Sequence, residues 1–437
     1  MKGSLAGLTK GEKHKLYLDD VRLKLKEYMK TYSSVWDISC SILVAKDEEV
    51  LFCNSYGYAN LEHKVSNRVD TKFWIASITK QFTAAAIMIL QEQGLLKVRD
   101  AIVKYFPEYP EFDSRITIHH LLTHTSGIVN YSDLSNWEDT IQKLYYGEEE
   151  FIELFKDIPL EFEPGTRWSY SNTGYYLLGS IVERVSGEAF DSFIRKNIFD
   201  KIPINNTGFI KEYEVVPNMA SGYEYNGPVL VKGHFSEMTK IWPSGGLYST
   251  VEDLYKWNMA THKGMFISDT SLSQMYANHV NNYGYGTDVY EKFKRKAVGH
   301  NGFYCGFLSQ FYYYPDEGVF VCILGNNSYI NVWRLCDELA AIVLEEPYGI
   351  PERPKEICGE LSQFDKYMGT YDNGAGLTIR VFREFNKFYL RFNKDNIYTI
   401  YPIGDNMFCN ELLDEQYIFE RDKKGNLSLW GCPKINS

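Results

Sequence analysis

The stretch from Ser77 to Gly94 reads SITKQFTAAAIMILQEQG. Its middle is apolar on nearly every side, so it predicts a buried central helix over residues 77–93 that ends at Gly94. The first turn differs, because Ser77-Ile78-Thr79-Lys80 opens this apolar helix with polar side chains. A lysine in such a position costs free energy unless it has partners. Ser77 and Lys80 are therefore the first candidate site residues.

Ser77 and Lys80 have the spacing of a nucleophile and its base. Serine is a poor nucleophile until a neighbouring group takes its proton, and three residues on a helix place Lys80 on the same face. Burial favours the neutral amine, and the start of a helix favours negative charge on the nucleophile. A chain of this length contains about one or two such strings by chance, so the string alone also fits a solvated lysine on an ordinary helix. The apolar helix that follows counts against that alternative.

A second motif is Tyr170-Ser171-Asn172, where a turn over residues 163–169 leads directly into a predicted helix. A tyrosine can act as a general base or acid when cations lower its pKa. Asn172 could bind a substrate amide and hold Lys80. The same Tyr-x-Asn pattern has four further copies, interpreted as packing or solvent-facing residues; they begin at Tyr58, Tyr276, Tyr329 and Tyr371.

A third motif is His300-Asn301-Gly302, which follows a short predicted strand over residues 296–299. Gly302 would let a substrate or another backbone approach closely. The next N–H, that of Phe303, could pair with the N–H of Ser77 as an oxyanion hole. Without the other two motifs, a structural histidine in a turn would be the better interpretation.

Around these motifs, the sequence predicts strands on both sides of a helical middle region. One sheet built from both ends of this part of the chain, with helices packed around it, explains that order. The elements are predicted over residues 16–32 (helix), 38–45 and 49–56 (strands), 175–186 (helix), 307–314 and 318–324 (strands) and 331–345 (helix).

A proline-rich linker over residues 347–354 marks a boundary between two domains. The first domain is predicted over residues 15–346 and the second over residues 355–437. The second domain holds short strands with polar turns between them, which indicates a small antiparallel barrel or sandwich. These strands are predicted over residues 377–383, 387–392, 397–402, 406–409, 416–420 and 427–430.

Composition narrows the class of partner. The formal net charge of −11 argues against nucleic acid, because phosphate binding needs a basic face. The eight cysteines lack metal or redox spacing and are interpreted as reduced, which fits a reducing compartment. No apolar run has the length of a signal peptide or a membrane span. We expect a cytoplasmic protein by default, or an extracellular one if a leader has been removed, with no cofactor, metal or membrane partner.

In this order the three motifs resemble those of the serine β-lactamase and penicillin-binding protein superfamily, which include Ser-x-x-Lys. Within that superfamily the motifs resemble those of class C β-lactamases and their relatives, which include D-aminopeptidases, alkaline D-peptidases and family VIII esterases. The C-terminal strands resemble a lipocalin-like domain. The resemblance implies an α+β fold, with an antiparallel sheet flanked by helices, a helical subdomain and a small all-β barrel. Supporting strings lie at residues 121–127, 163–165, 171–174 and 243–250.

The resemblance also implies roles for the site residues. Ser77 would be the acylated nucleophile, Lys80 and Tyr170 would share proton transfer, and Asn172 would assist. Gly302 and Phe303 would bind substrate, the N–H groups of Ser77 and Phe303 forming the oxyanion hole.

One departure from the family pattern narrows the expected substrate. His300 stands where the family has a lysine, and histidine is mostly neutral near pH 7. This favours hydrolysis of a small-molecule or peptide amide or ester over that of a β-lactam. The alternatives are penicillin binding or β-lactamase activity, acyl transfer to an amine, and a non-catalytic sensor of peptidoglycan fragments. The oligomeric state stays open.

Overall fold

The secondary structure is given by a computed structural model that describes residues 9–211, 213–226, 229–327, 330–357, 359–373, 377–392 and 397–435. The helices are α1 Lys10–Val35, α2 Thr79–Glu92, α3 Ile118–Leu122, α4 Glu148–Glu153, α5 Asn172–Ser186, α6 Phe190–Asn197, α7 Trp242–Gly245, α8 Val251–His262, α9 Asp269–Met275 and α10 Val332–Leu344. The strands before the linker are β1 Cys40–Lys46, β2 Glu49–Tyr56, β3 Tyr58–Asn60, β4 Val65–Ser66, β5 Phe73–Trp74, β6 Gly208–Phe209, β7 Tyr223–Asn226, β8 Val229–Lys232, β9 Leu247–Ser249, β10 Asp288–Lys292, β11 Arg295–Tyr304, β12 Phe307–Tyr314 and β13 Val319–Gly325. The strands after it are β14 Gly369–Asp372, β15 Thr378–Glu384, β16 Lys387–Phe392, β17 Ile397–Gly404, β18 Met407–Asn410, β19 Gln416–Arg421, β20 Leu427–Leu429 and β21 Cys432–Ile435.

The central sheet joins strands from both sides of the helical region, as the sequence predicts. Within the described residues its order is β10-β11-β12-β13-β1-β2, and every neighbouring pair is antiparallel. Alternate residues of β13 face two different hydrophobic clusters. Val321 and Ile323 pack in the cluster that contains α1 and α10, whereas Phe320 and Cys322 pack in the one that contains α2 and α8. Both faces of the sheet are therefore covered by helices.

The predicted central helix is present and buried. All residues of α2 from Thr79 to Leu90 are buried. It is preceded by a 3-10 turn, Ala76–Ile78, and Ala76 adopts the left-handed region at φ 44°. Such a backbone is strained for a residue other than glycine. The chain thus makes a sharp turn immediately before Ser77.

The region after the linker forms a closed antiparallel barrel, whose described strands run in order from β14 to β21. Six of these strands are predicted from the sequence, while β14 and β21 are not. They close the ring, since β14 pairs with both β15 and β21. The α+β class with a small all-β barrel is therefore confirmed.

One local expectation is wrong. Strand β11 does not end at residue 299 but continues through His300 to Tyr304, where Cys305-Gly306 makes the hairpin turn at positive φ. The pairing of His300 with Phe311 and of Phe303 with Leu308 keeps the strand extended. His300 therefore lies within a sheet strand and not in a turn.

The described cysteines, which exclude Cys358, are free thiols and mostly buried. Tyr329 also lies outside the described residues. Among the residues that the structure covers, no helix is both long and apolar enough to cross a membrane.

Candidate active site

Lys80 lies at the centre of a polar cluster that is otherwise enclosed by apolar helices. Its side chain is fully buried, and Nζ lies 3.0 Å from Ser77 Oγ, 2.8 Å from Asn172 Oδ1 and 2.7 Å from the Ser244 carbonyl oxygen. Burial lowers the pKa of Lys80 well below its usual value, and the nearby Asp288 carboxylate only partly opposes that shift. The amine is thus both next to the serine hydroxyl and inclined to be neutral.

Tyr170 completes the cluster. Its side chain hydrogen-bonds Ser77, and its ring centroid lies 4.9 Å from Lys80 Nζ. Burial raises the pKa of Tyr170, although the hydrogen bond to Ser77 acts in the opposite direction. The structure therefore brings Ser77, Lys80, Tyr170 and Asn172 together, with the tyrosine in its protonated form.

The start of α5 holds Asn172 toward Lys80. Ser171 caps the helix, its Oγ accepting the N–H of Gly174. The backbone N–H of Ser171 donates to His124 Nδ1 at 3.1 Å, and that of Asn172 donates to Asn130 Oδ1 at 3.0 Å. The loop around residues 121–130 thus fixes the tyrosine–asparagine motif from behind, and the His124 ring lies 4.3 Å from that of Tyr170.

Gly302 lies directly behind the nucleophile turn. A Cβ at this position would meet the Ile75 carbonyl oxygen at 2.3 Å and the Ala76 Cβ at 3.0 Å. Ser309 Oγ also donates to the Ile75 carbonyl oxygen at 2.8 Å. The absence of a side chain at Gly302 lets β11 pack against this turn, so the glycine positions Phe303 beside Ser77 and is itself buried.

His300 is buried behind the cleft and is neutral. Its Nδ1 lies 2.6 Å from the Asn301 carbonyl oxygen, and its Nε2 lies 3.0 Å from the Tyr283 hydroxyl. The carbonyl can only accept, so Nδ1 carries the proton and Nε2 accepts from Tyr283. Burial, reinforced by the charge of Lys80, lowers the pKa of His300 to about 3.

The cleft in front of Ser77 is narrow, with a volume of about 70 Å³. Phe303 lines it, whereas His300 and Gly302 do not. Sequence reasoning did not single out several of its other features: the Ser244 carbonyl and the side chains of the lining residues Tyr131, Trp137 and Ile241. The resemblance at residues 243–250 was the only signal that could have pointed to Ser244.

Asp288 is a further residue that sequence reasoning missed. It stands on β10 opposite Gly299 of β11, and burial raises the pKa of its carboxyl to about 7, against the opposing charge of Lys80. Nothing in its sequence context indicates that it acts on Lys80. In the part of the chain that the structure describes, no group of three or more His, Cys, Asp or Glu side chains is placed to hold a metal ion.

Known proteins resemble this chain over most of its length. Residues 30–344 match the family model described as Beta-lactamase. The chain is 28% identical over 426 residues to penicillin-binding protein 4* of Bacillus subtilis (strain 168), covering 91% of this chain and 93% of that protein.

Two solved structures are similar as well. The octameric penicillin-binding protein homologue from Pyrococcus abyssi has a TM-score of 0.66 and 25% identity, over 94% of this chain and 99% of that one. A penicillin-binding protein from Bacillus halodurans has a TM-score of 0.60 and 30% identity, over 70% and 94% of the respective chains. The first of these likenesses extends over nearly all of the present chain.

Proposed function

The chain belongs to the beta-lactamase family, and on that premise we propose that it is a serine hydrolase acting through a Ser77 acyl-enzyme on an amide, peptide or ester. One observation carries the proposal: a buried Lys80 amine lies 3.0 Å from Ser77 Oγ and is held there by Asn172 and the Ser244 carbonyl. A serine with an adjacent, desolvated base is an activated nucleophile. The substrate is a small molecule or a peptide.

Acylation starts with attack of Ser77 Oγ on the substrate carbonyl carbon. The hydroxyl proton passes to neutral Lys80, while the N–H groups of Ser77 and Phe303 stabilise the oxyanion. The bond from the carbonyl carbon to the leaving nitrogen or oxygen then breaks, and the leaving atom takes a proton from Tyr170, which is resupplied by Lys80. Deacylation reverses these roles. Water forms the new bond to the carbonyl carbon and Ser77 Oγ leaves. A proton of the water returns to Oγ through the same groups.

We assign the proton-accepting role to Lys80 and the donating role to Tyr170. Burial has opposite effects on the two groups: it lowers the pKa of the ammonium and raises that of the phenol. The neutral amine and the protonated phenol are therefore favoured together. This combination suits a base that accepts from Ser77 and an acid that serves the leaving group.

The neutral His300 supports a preference for peptides, amides or esters over β-lactams. An imidazole with a pKa of about 3 offers no permanent charge to a substrate carboxylate. Its ring also lies outside the cleft lining. Substrates without a carboxylate next to the scissile bond are therefore the better candidates.

A substrate panel tests the proposal. Turnover of D-amino-acid amides, p-nitrophenyl esters and nitrocefin would be measured for the native protein and for S77A. We expect Ser77-dependent hydrolysis of an amide or ester, with nitrocefin slower. Rapid nitrocefin turnover would instead favour a β-lactamase, product formed only with an added amine would favour a transferase, and no Ser77-dependent turnover of any substrate would contradict the proposal.

A further inference from the structure

A second cavity, which we call the barrel groove, lies between the central sheet and the barrel and has a volume of about 360 Å³. Phe303 lines both this groove and the active-site cleft. Leu308, its cross-strand partner, lines the groove as well. Opposite them stand barrel residues, among them Leu413 and Trp430, and Trp333 of α10 contributes to the same wall. Phe303 is therefore a wall that the groove and the cleft share.

The lining of the barrel groove is largely apolar, and its amide and carboxylate side chains, those of Asn331 and Glu415, have partners. Asn331 caps α10 by accepting the N–H of Arg334 and donates to the Asp414 carbonyl. The Glu415 carboxylate accepts from the Tyr417 hydroxyl at 2.8 Å, and burial raises its pKa. Large hydrophobic side chains are exposed in the groove: Phe303 is 50%, Trp333 41% and Trp430 47% exposed. A ligand there would gain mainly by burying apolar surface.

The two walls of the groove are held in place by polar contacts between α10 and the barrel. The Arg334 guanidinium donates to the Asp414 carboxylate at 2.8 Å, and this carboxylate is 8% exposed. Cys409 of β18 is buried in the same hydrophobic cluster as α1 and α10. The groove is therefore a preformed feature of the fold.

We propose that the barrel groove binds the acyl chain of the substrate, an inference that rests on the proposed Ser77 hydrolase. If the Phe303 N–H holds the carbonyl oxygen, the group attached to that carbonyl lies beside Phe303. An acyl chain of medium length then extends past Phe303 toward Leu308 and Trp430. The barrel thereby sets the specificity for the acyl part, and p-nitrophenyl esters with acyl chains of increasing length are suitable probes.

The first test measures kcat/KM for p-nitrophenyl acetate, butyrate and octanoate with native protein, W430A and F385A. Trp430 and Phe385 both lie at barrel hairpin turns with positive φ, but Phe385 is 94% exposed and does not line the groove. We expect about a tenfold loss on octanoate in W430A, less than a twofold change on acetate, and no change in F385A. An equal loss on all three esters, or no loss, would overturn the inference.

A second measurement separates the groove from the chemistry. S77A retains the groove and its tryptophans, so binding of the octanoate ester is followed by tryptophan fluorescence without turnover. We expect S77A to bind octanoate about tenfold more tightly than acetate and to lose this difference in S77A/W430A and S77A/W333A. Equal binding of both esters would overturn the acyl-chain subsite even if the native protein is a hydrolase. Chain-length-dependent binding without Ser77-dependent hydrolysis would instead contradict the proposed function.

Discussion

Lys80 is a charged residue type in a fully buried position, and its neighbours show why the fold tolerates it. Its amine has three oxygen partners within 3.0 Å. Replacing it with methionine keeps an unbranched apolar side chain as far as Cε, with sulfur at the δ position, and removes the amine. We expect K80M to lower kcat/KM by about a thousandfold, because general-base catalysis typically contributes 10²–10⁴. Thermal unfolding checks that the variant is folded, and activity within tenfold of the native protein would contradict the role of Lys80.

The pH profile tests the electrostatics of the same cluster. Activity requires neutral Lys80, so kcat/KM should rise with pH through the lowered pKa of this residue. The Asp288 carboxylate raises the pKa of Lys80, so removing its charge in D288N should lower that pKa further and move the acidic limb of the profile to lower pH. D337N is the matched control, because it changes a carboxylate of α10 that pairs with Lys292. A limb that stays in place, or moves to higher pH, in D288N would contradict this coupling.

His300 gives a second, independent pH prediction. Its pKa of about 3 means that the ring stays neutral throughout the usual assay range. We therefore expect the kcat/KM profile of H300N to keep every ionisation that the native profile has near pH 6.5. A limb near that pH that is present in the native protein and absent in H300N would show a charged His300.

At the residue scale, motifs of a few neighbouring residues were enough to predict most of the candidate site. Ser77 and Lys80 share a helix turn, and Tyr170 and Asn172 stand at a helix start, so local spacing could find them. Asp288 depends on strand pairing and on long-range burial, which no local pattern indicates.

At the scale of secondary-structure elements, Gly302 is the point at which strand β11 packs against the nucleophile turn. Without a side chain, Gly302 can pack against this turn, whereas a Cβ at this position would lie only 2.3 Å from the Ile75 carbonyl oxygen. We expect G302A to push the strand away from the turn and to lower kcat/KM by at least about a hundredfold, since misplaced donors lose oxyanion stabilisation. G11A, where an added Cβ has open space, should keep full activity. Native-like kinetics in G302A would show that this packing does not position the site.

Elements were predicted well where their pattern is long. The apolar helix α2 and the strands β12 and β13 are strongly patterned and lie within a residue or two of their predicted bounds. The continuation of β11 past His300 was missed because Asn-Gly usually indicates a turn. Here the hairpin turn falls four residues later, at Cys305-Gly306, where the cross-strand pairing with β12 places it.

At the scale of the whole molecule, α10 and the barrel are joined by the ion pair between Arg334 and Asp414. Because Arg334 is 42% exposed, solvent screening limits the pair to about 1 kcal/mol. D414N should therefore lower the unfolding temperature by a few degrees and increase amide exchange in the barrel. R22A, which removes two surface ion pairs with Asp19 and Glu49, should change neither. An unchanged unfolding temperature and exchange pattern in D414N would contradict this role.

The barrel itself could be predicted only in outline. Its six patterned strands indicated an antiparallel closed or layered sheet, but the short strands β14 and β21 close the ring through pairing between residues some 60 positions apart, such as Tyr371 with Lys434. No local pattern predicts that contact. The barrel groove depends in turn on how the closed barrel packs against α10.

The central claim is that Ser77 is the acylated nucleophile, and covalent trapping tests it most directly. Native protein and S77A would each be incubated with a fluorophosphonate, and their intact masses measured, followed by peptide mapping. The account predicts one adduct per native chain, located on Ser77, and none on S77A. No adduct on the folded native protein, or an equal adduct on S77A, would contradict it.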